Sequence, residues 1–239
     1  MVYALIDSRV NEMIQSRLQK EGFGIITLPP SRDLPEAIAS HPDSLVTKIG
    51  NTLIFSADYS DDGVCALTDV REYAPHIKMI LASEPMGKKY PQDTRYNALR
   101  IGDHLFCRTE SISSSVKDEA ERQGLTIVNV KQGYPHCSTL KLNDRAAITA
   151  DSGMASAMEK CGIRVYRIET GNIALPPYEY GFIGGACGVF DRKIYFFGDY
   201  TAHPSRSVIE LSAKAEGLEL ISLTDGMLSD FGGIVFLDK

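Results

Sequence analysis

No stretch of this 239-residue sequence approaches the roughly 18 consecutive apolar residues of a membrane-spanning helix. Met1 to Asp7 has neither a basic flank nor a long apolar run before its first carboxylate, so no signal peptide is expected. Basic charge is also in short supply: Lys and Arg number 25 against 31 Asp and Glu, a net charge of −6. That balance argues against broad, sequence-independent attraction to nucleic acid or anionic membrane. Cysteine is sparse and scattered. Cys65, Cys107, Cys137, Cys161 and Cys187 form no CxxC pair, and their odd count and wide spacing exclude a disulfide framework and a thiolate zinc site in favour of a reduced, cytoplasmic protein. Disordered and low-complexity readings fail as well, because 44% hydrophobic and 23% charged residues are ordinary globular proportions.

What is present is an internal repeat. A helical stretch stops at a Gly and runs directly into a short apolar strand at Gly22-Phe23, Gly124-Leu125, Gly162-Ile163 and Gly217-Leu218. Gly suits the left-handed position that ends a helix, and the β-branched alternation that follows suits a strand. A degenerate fifth copy, Tyr73 to Ala82, supplies Ile77 to Leu81 as its strand. Between these units lie pairs of apolar strands joined by tight polar turns, around Gly50-Asn51, Gly102-Asp103, Asn143-Asp144 and Asp191-Arg192. The helices read as amphipathic, with Val10, Met13, Ile14 and Leu18 on one face of Ser8 to Lys20, and Val208, Leu211 and Ala215 on another.

The remaining hairpin is divided between the ends of the sequence. Gly233 to Leu237 is one strand and Val2 to Ile6 the other. Pairing them closes five ββαβ units into a ring without a raw sheet edge. The expectation is a single α/β domain spanning 1–239.

Such a ring resembles the pentein fold, the five-bladed α/β propeller of the guanidino-group-modifying enzymes: arginine and agmatine deiminases, amidinotransferases and dimethylarginine dimethylaminohydrolase. Tyr90-Pro91-Gln92-Asp93-Thr94 is similar to the segment that brings an acidic residue onto the substrate guanidinium in the dimethylaminohydrolases. Cys137-Ser138 resembles the Cys-Ser that follows their catalytic His, and Asp225 to Ser229 the run leading to their nucleophilic Cys. The resemblance implies a central cavity that binds or modifies a small cationic, arginine-like guanidino molecule. An enzyme of this kind would be a hydrolase or amidinotransferase acting on C–N bonds; the alternative is a non-catalytic ring that binds a ligand or a partner. Two departures stand out. Asp230 occupies the place of the expected Cys, with no Cys after Cys187, and Lys131 or Gln132 the place of the expected His. As a whole the chain looks like a bacterial branch of the superfamily that keeps the fold.

In a pentein the loops leading into the hairpins converge on the axis. That selects His41-Pro42-Asp43 in the first loop and Asp93, Arg95 and Asn97 in the second. The third offers Lys131, Gln132, His136 and Cys137, the fourth Tyr178, Glu179 and Tyr180, and the fifth Asp225 and Asp230. Cys137 with His136 is the catalytic candidate, since an imidazolium lowers a thiol's pKa. Against it, consecutive residues of an extended segment point to opposite faces. Asp93, Arg95, Asn97, Lys131, Glu179 and Asp230 are the substrate-binding candidates, the carboxylates by bidentate pairing with a guanidinium; Asp also caps turns and helices. His41 and His203 read as turn residues beside Pro. No metal or cofactor is expected, because no two His share a ligand spacing. Gly181 to Gly188 is not a phosphate loop, since it leads into a strand and opens no helix; its glycines suit close backbone packing.

Overall fold

The computed structural model of the chain describes residues 1–238. Five three-stranded sheets repeat one topology, an antiparallel hairpin whose second strand also pairs in parallel with a third strand that follows a helix. In chain order after the first, the hairpins are Val46–Ile49 with Thr52–Ser56, Leu99–Ile101 with His104–Cys107, Thr139–Asn143 with Ala146–Thr149, and Cys187–Phe190 with Lys193–Phe196. Their parallel third strands are Lys78–Ala82, Thr126–Asn129, Arg164–Arg167 and Glu219–Ser222. The first sheet joins the two ends of the chain: Val2–Asp7 pairs antiparallel with Val235–Leu237, Tyr3 opposite Leu237, and parallel with Phe23–Leu28. Beyond Leu237, Asp238 is held by Lys48 Nζ at 2.7 Å and by His76 Nε2 on its carbonyl at 2.7 Å. A small sixth sheet pairs Ile173–Ala174 with Leu228–Ser229.

The local signals act as their chemistry requires. Gly22, Gly124, Gly162 and Gly217 follow their helices at φ of 95°, 71°, 77° and 69°. The Asp191-Arg192 turn has both residues at positive φ, 43° and 66°, the backbone of a two-residue hairpin turn. In the Thr139–Thr149 hairpin the turn lies one residue later than the sequence suggests, on Asp144 and Arg145, and the register slips between Ala146 and Ala147.

Two helices differ from expectation. The first begins at Glu12, not Ser8, because Asn11 caps it by accepting the Ile14 N–H at 3.0 Å. It buries Ile14 and Leu18, with Val10 buried just ahead of it, while Met13 is 60% exposed. In Arg206–Glu216 the buried face is Ile209, Ser212 and Ala213, and Leu211 is 62% exposed. The small Ser212 and Ala213 let the helix approach the sheet closely, an advantage that outweighs burying the larger Leu.

The first strands of all five hairpins contribute to the lining of one cavity of about 400 Å³. Most of the loops that carry the candidate site lead into these strands.

Candidate functional site

Where those loops meet, ionisable side chains are buried together. Asp7 ends the strand Val2–Asp7; its carboxylate is gripped by Arg9, whose Nε lies 3.0 Å from Oδ1 and Nη2 2.5 Å from Oδ2. His41 precedes the one-turn helix Pro42–Leu45, which carries Asp43. The His41 ring lies between two buried carboxylates, Nε2 at 3.9 Å from Asp7 Oδ2 and Nδ1 at 3.7 Å from Asp230 Oδ1. Neither ring nitrogen has a hydrogen-bond partner, nor has Asp43 Oδ2.

Asp230 is fixed by backbone donors, Oδ2 accepting the Phe182 N–H at 2.8 Å and Oδ1 the Gly232 N–H at 3.0 Å. Burial pushes its carboxyl upward, Asp43 adds to the rise, and His41 opposes it. The surrounding glycines leave no room for a side chain. A Cβ on Gly185 would fall on the Asp230 carboxylate, and one on Gly232 on His41. The Gly181–Gly188 segment therefore serves close packing at the centre.

His136 and Cys137 sit in the turn Pro135 to Ser138, not in an extended segment, so the alternation argument that would separate them does not apply. Both face Asp43. His136 Nδ1 is 3.7 Å from Asp43 Oδ2, and the Cys137 sulfur lies within 4.8 Å of an Asp43 carboxylate oxygen. Asn97 fixes the turn: its Nδ2 donates to Cys137 Sγ at 3.2 Å, and its Oδ1 accepts the His136 backbone N–H at 2.8 Å. Burial, then Asp43 and Asp230, push the Cys137 thiol well up from its usual range. That is the opposite of the depressed pKa an activated nucleophile needs. His136, its side chain 32% exposed, lines the 400 Å³ cavity.

Asp93 is buried beside the Tyr134 hydroxyl and keeps Oδ1 unpartnered. Burial raises its carboxyl, with Tyr134 and the backbone opposing. The Tyr134 hydroxyl is itself raised, first by burial and then by Asp93, with Cys137 and Tyr178 also close enough to contribute.

The other candidates are placed differently. Lys131 is exposed on the surface, and Gln132 bonds to Asp151 Oδ2 at 2.8 Å. Neither takes the place of a catalytic His at the cluster. Arg95 reaches the Pro85 carbonyl at 2.6 Å in an exposed contact, and Glu179 is exposed on its loop. His203 keeps a turn role, Nδ1 accepting the Ser205 N–H at 3.1 Å. Asp7, His41 and Asp43 are central residues outside the catalytic and substrate-binding candidates, although the sequence places His41 and Asp43 on the first converging loop. His41-Pro42-Asp43 in the first loop was the available signal; nothing in the sequence marks Asp7.

Residues 5–235 match a family described as a family of unknown function, DUF6873. The chain belongs to that family. No curated protein matches the sequence. Among solved structures it is similar to a dimethylarginine dimethylaminohydrolase from Pseudomonas aeruginosa complexed with citrulline, at 13% identity and a TM-score of 0.59, covering 92% of this chain and 90% of that one. It is also similar to an amidinotransferase of the saxitoxin pathway from Microseira wollei, at 11% identity and a TM-score of 0.57, covering 96% and 89%. An inosamine-phosphate amidinotransferase from Streptomyces griseus matches at 13% identity and a TM-score of 0.55, covering 90% and 76%. These likenesses establish the pentein fold. No helix among the described residues is long and apolar enough to cross a membrane, and all five cysteines are free.

Proposed function

We propose that the chain is a single five-bladed α/β propeller of pseudo-fivefold symmetry, spanning 1–239, that binds a small guanidino-type cation at its centre. The shared lining of one cavity by the first strands of five like sheets supports the ring, and the pairing of Val2–Asp7 with Val235–Leu237 supports its closure. Five free thiols accord with a reducing, cytoplasmic setting.

The observation that carries the ligand class is Asp93. It lies in the segment that resembles the guanidinium-binding strip of the dimethylaminohydrolases, it is buried, and its Oδ1 has no protein donor. A guanidinium supplies several planar donors that suit a carboxylate. The Tyr134 ring beside it, with Tyr178 near Tyr134 in turn, suits the wall of a small-ligand site.

The covalent route of the enzymes it resembles does not transfer. That route needs a thiolate in the last repeat, and the residue there is Asp230, whose carboxylate is committed to the Phe182 and Gly232 backbone donors. Cys137 is held as a thiol by burial and by neighbouring carboxylates. Binding without turnover through a thiouronium intermediate is the reading these groups support.

Thermal-shift screening with arginine, agmatine and methylated arginines tests it. A ligand at 100 times its Kd stabilises by about 2.7 kcal/mol. Asp93→Asn removes the shift while leaving the unliganded Tm within a few degrees. Absence of any shift across the panel, or an equal shift in Asp93→Asn, overturns the reading.

A further inference from the structure

His41, Asp43 and Cys137 reach one point from two different loops. Their ligating atoms, an imidazole nitrogen, a carboxylate oxygen and the thiol sulfur, all lie within 4.8 Å of one another, and all three residues are buried. We propose that these residues hold a zinc-class divalent metal ion, with His136 as the fourth donor.

Four observations support this. The donor set mixes nitrogen, oxygen and sulfur, the composition that a borderline-soft cation such as zinc prefers over magnesium or calcium. In a tetrahedral site with bonds of about 2.0 to 2.3 Å, neighbouring donors sit roughly 3.4 to 3.7 Å apart. Asp43 Oδ2 and His136 Nδ1 are already 3.7 Å apart, and the 4.8 Å envelope closes with small side-chain shifts.

Three of the four proposed ligands also present unsatisfied atoms. Both His41 ring nitrogens, Asp43 Oδ2 and His136 Nδ1 lack a hydrogen-bond partner. Buried polar atoms without partners are costly, so several in one place call for a common partner. A divalent cation answers them together and also offsets the buried negative charge of Asp43 and Asp230.

The outer groups are those that orient metal-binding imidazoles. A ligating His donates its other ring N–H to a carboxylate or carbonyl. Whichever His41 nitrogen takes the ion, the other faces a buried carboxylate: Asp7, itself clamped by Arg9, or Asp230, clamped by two backbone N–H groups. Asn97 holds the turn that carries Cys137 and His136. Binding converts the Cys137 S–H to a thiolate on the metal and releases one proton to solvent.

Chain spacing argues against a metal only along the sequence. Here the donors come from the loops before two different hairpins, so no local motif marks them.

The test uses the whole chain, treated with EDTA and titrated with cobalt and with zinc in the absence of any guanidino compound. The expected result is a thiolate-to-cobalt charge-transfer band that saturates at one ion per chain, and a rise in Tm with zinc. Cys137→Ser loses the band and binds zinc at least tenfold more weakly; Cys65→Ser and Asp93→Asn keep both properties. Metal analysis and cobalt titration of the unmutated chain decide the matter should Cys137→Ser fail to fold. No saturable band together with a zinc-independent Tm, or a band that survives Cys137→Ser, overturns the site. Unchanged zinc affinity in His136→Ala removes His136 from the ligand set and overturns that part. Because Asp93 is outside the proposed ligands, guanidino-induced stabilisation of the EDTA-treated chain stands or falls separately.

Discussion

Asn97 donates its side-chain amide to the sulfur of Cys137 across 3.2 Å. With its other arm accepting the His136 N–H, it is the brace that turns two consecutive side chains toward Asp43.

Replacing that brace is expected to be costly. Asn97→Ala leaves a backbone N–H and a buried thiol without their partner, and should lower stability by roughly 2 to 3 kcal/mol. Urea denaturation followed by circular dichroism measures it. Asn97→Asp, which still accepts from His136 but cannot donate to sulfur, should fall between the two; a loss under about 0.5 kcal/mol for Asn97→Ala would show that the turn holds without it.

The five thiols should divide by depth. Cys65 is exposed, Cys161 is half-buried, and Cys107, Cys137 and Cys187 are buried. Burial pushes the Cys107 thiol up to about 11 and raises Cys187 further, with Asp230 adding to the latter. A disulfide-exchange reagent applied to the native chain should modify Cys65 first, then Cys161, and reach the other three only on unfolding. Fast native modification of Cys137, located by peptide mass mapping, would contradict its burial.

Acid sensitivity should reside partly in Glu119. Its side chain is buried against Arg122, Gln123 and Thr52, and Arg122 foremost, opposed by burial, holds its carboxyl at about 2 against 4.5. A carboxyl depressed in the fold adds stability that is fully present above pH 4.5 and disappears as pH falls toward 2. The contribution is on the order of 2 kcal/mol after allowing for the exposure of Arg122. In Glu119→Gln the wild-type loss of stability between about pH 5 and pH 2 should become shallower by that amount. Denaturant midpoints across this range report it, and identical pH profiles would rule the residue out.

Gly184 should tolerate no side chain. A Cβ there would lie within 2.7 Å of the carbonyl oxygens of His136, Thr139 and Cys137, all backbone atoms that cannot rotate away. Gly184→Ala is expected to cost more than about 3 kcal/mol or to abolish folding. Gly22→Ala, at φ 95° with open space around it, should cost only about 1 kcal/mol. Equal Tm losses for the two would show that the centre is looser than its backbone spacing implies.

The repeat was legible because its determinants are local: a helix-stopping glycine, a positive-φ turn and an apolar strand all act within a few residues. The pairing of the chain ends was legible too, since the first and last strands lacked partners otherwise. The cluster was legible only in fragments. His41, Asp43 and Asp230 stood on loops known to converge, but contact between Asp7 and His41 depends on how separate sheets lean together, which no short window encodes. His136 and Cys137 escaped the alternation rule because Pro135 starts a turn. The buried face of Arg206–Glu216 was misplaced by one position, where size favoured Leu211 but close approach favoured Ser212 and Ala213.

The partnership of Tyr3 with Leu237 sets an order of events during synthesis. While the ribosome is still extending the chain, the flank of Val2–Asp7 that Val235–Leu237 will occupy has no partner. Four sheets can be complete before the first one is. A nascent polypeptide of this design carries an adhesive strand margin until Val235–Leu237 has emerged to cover it.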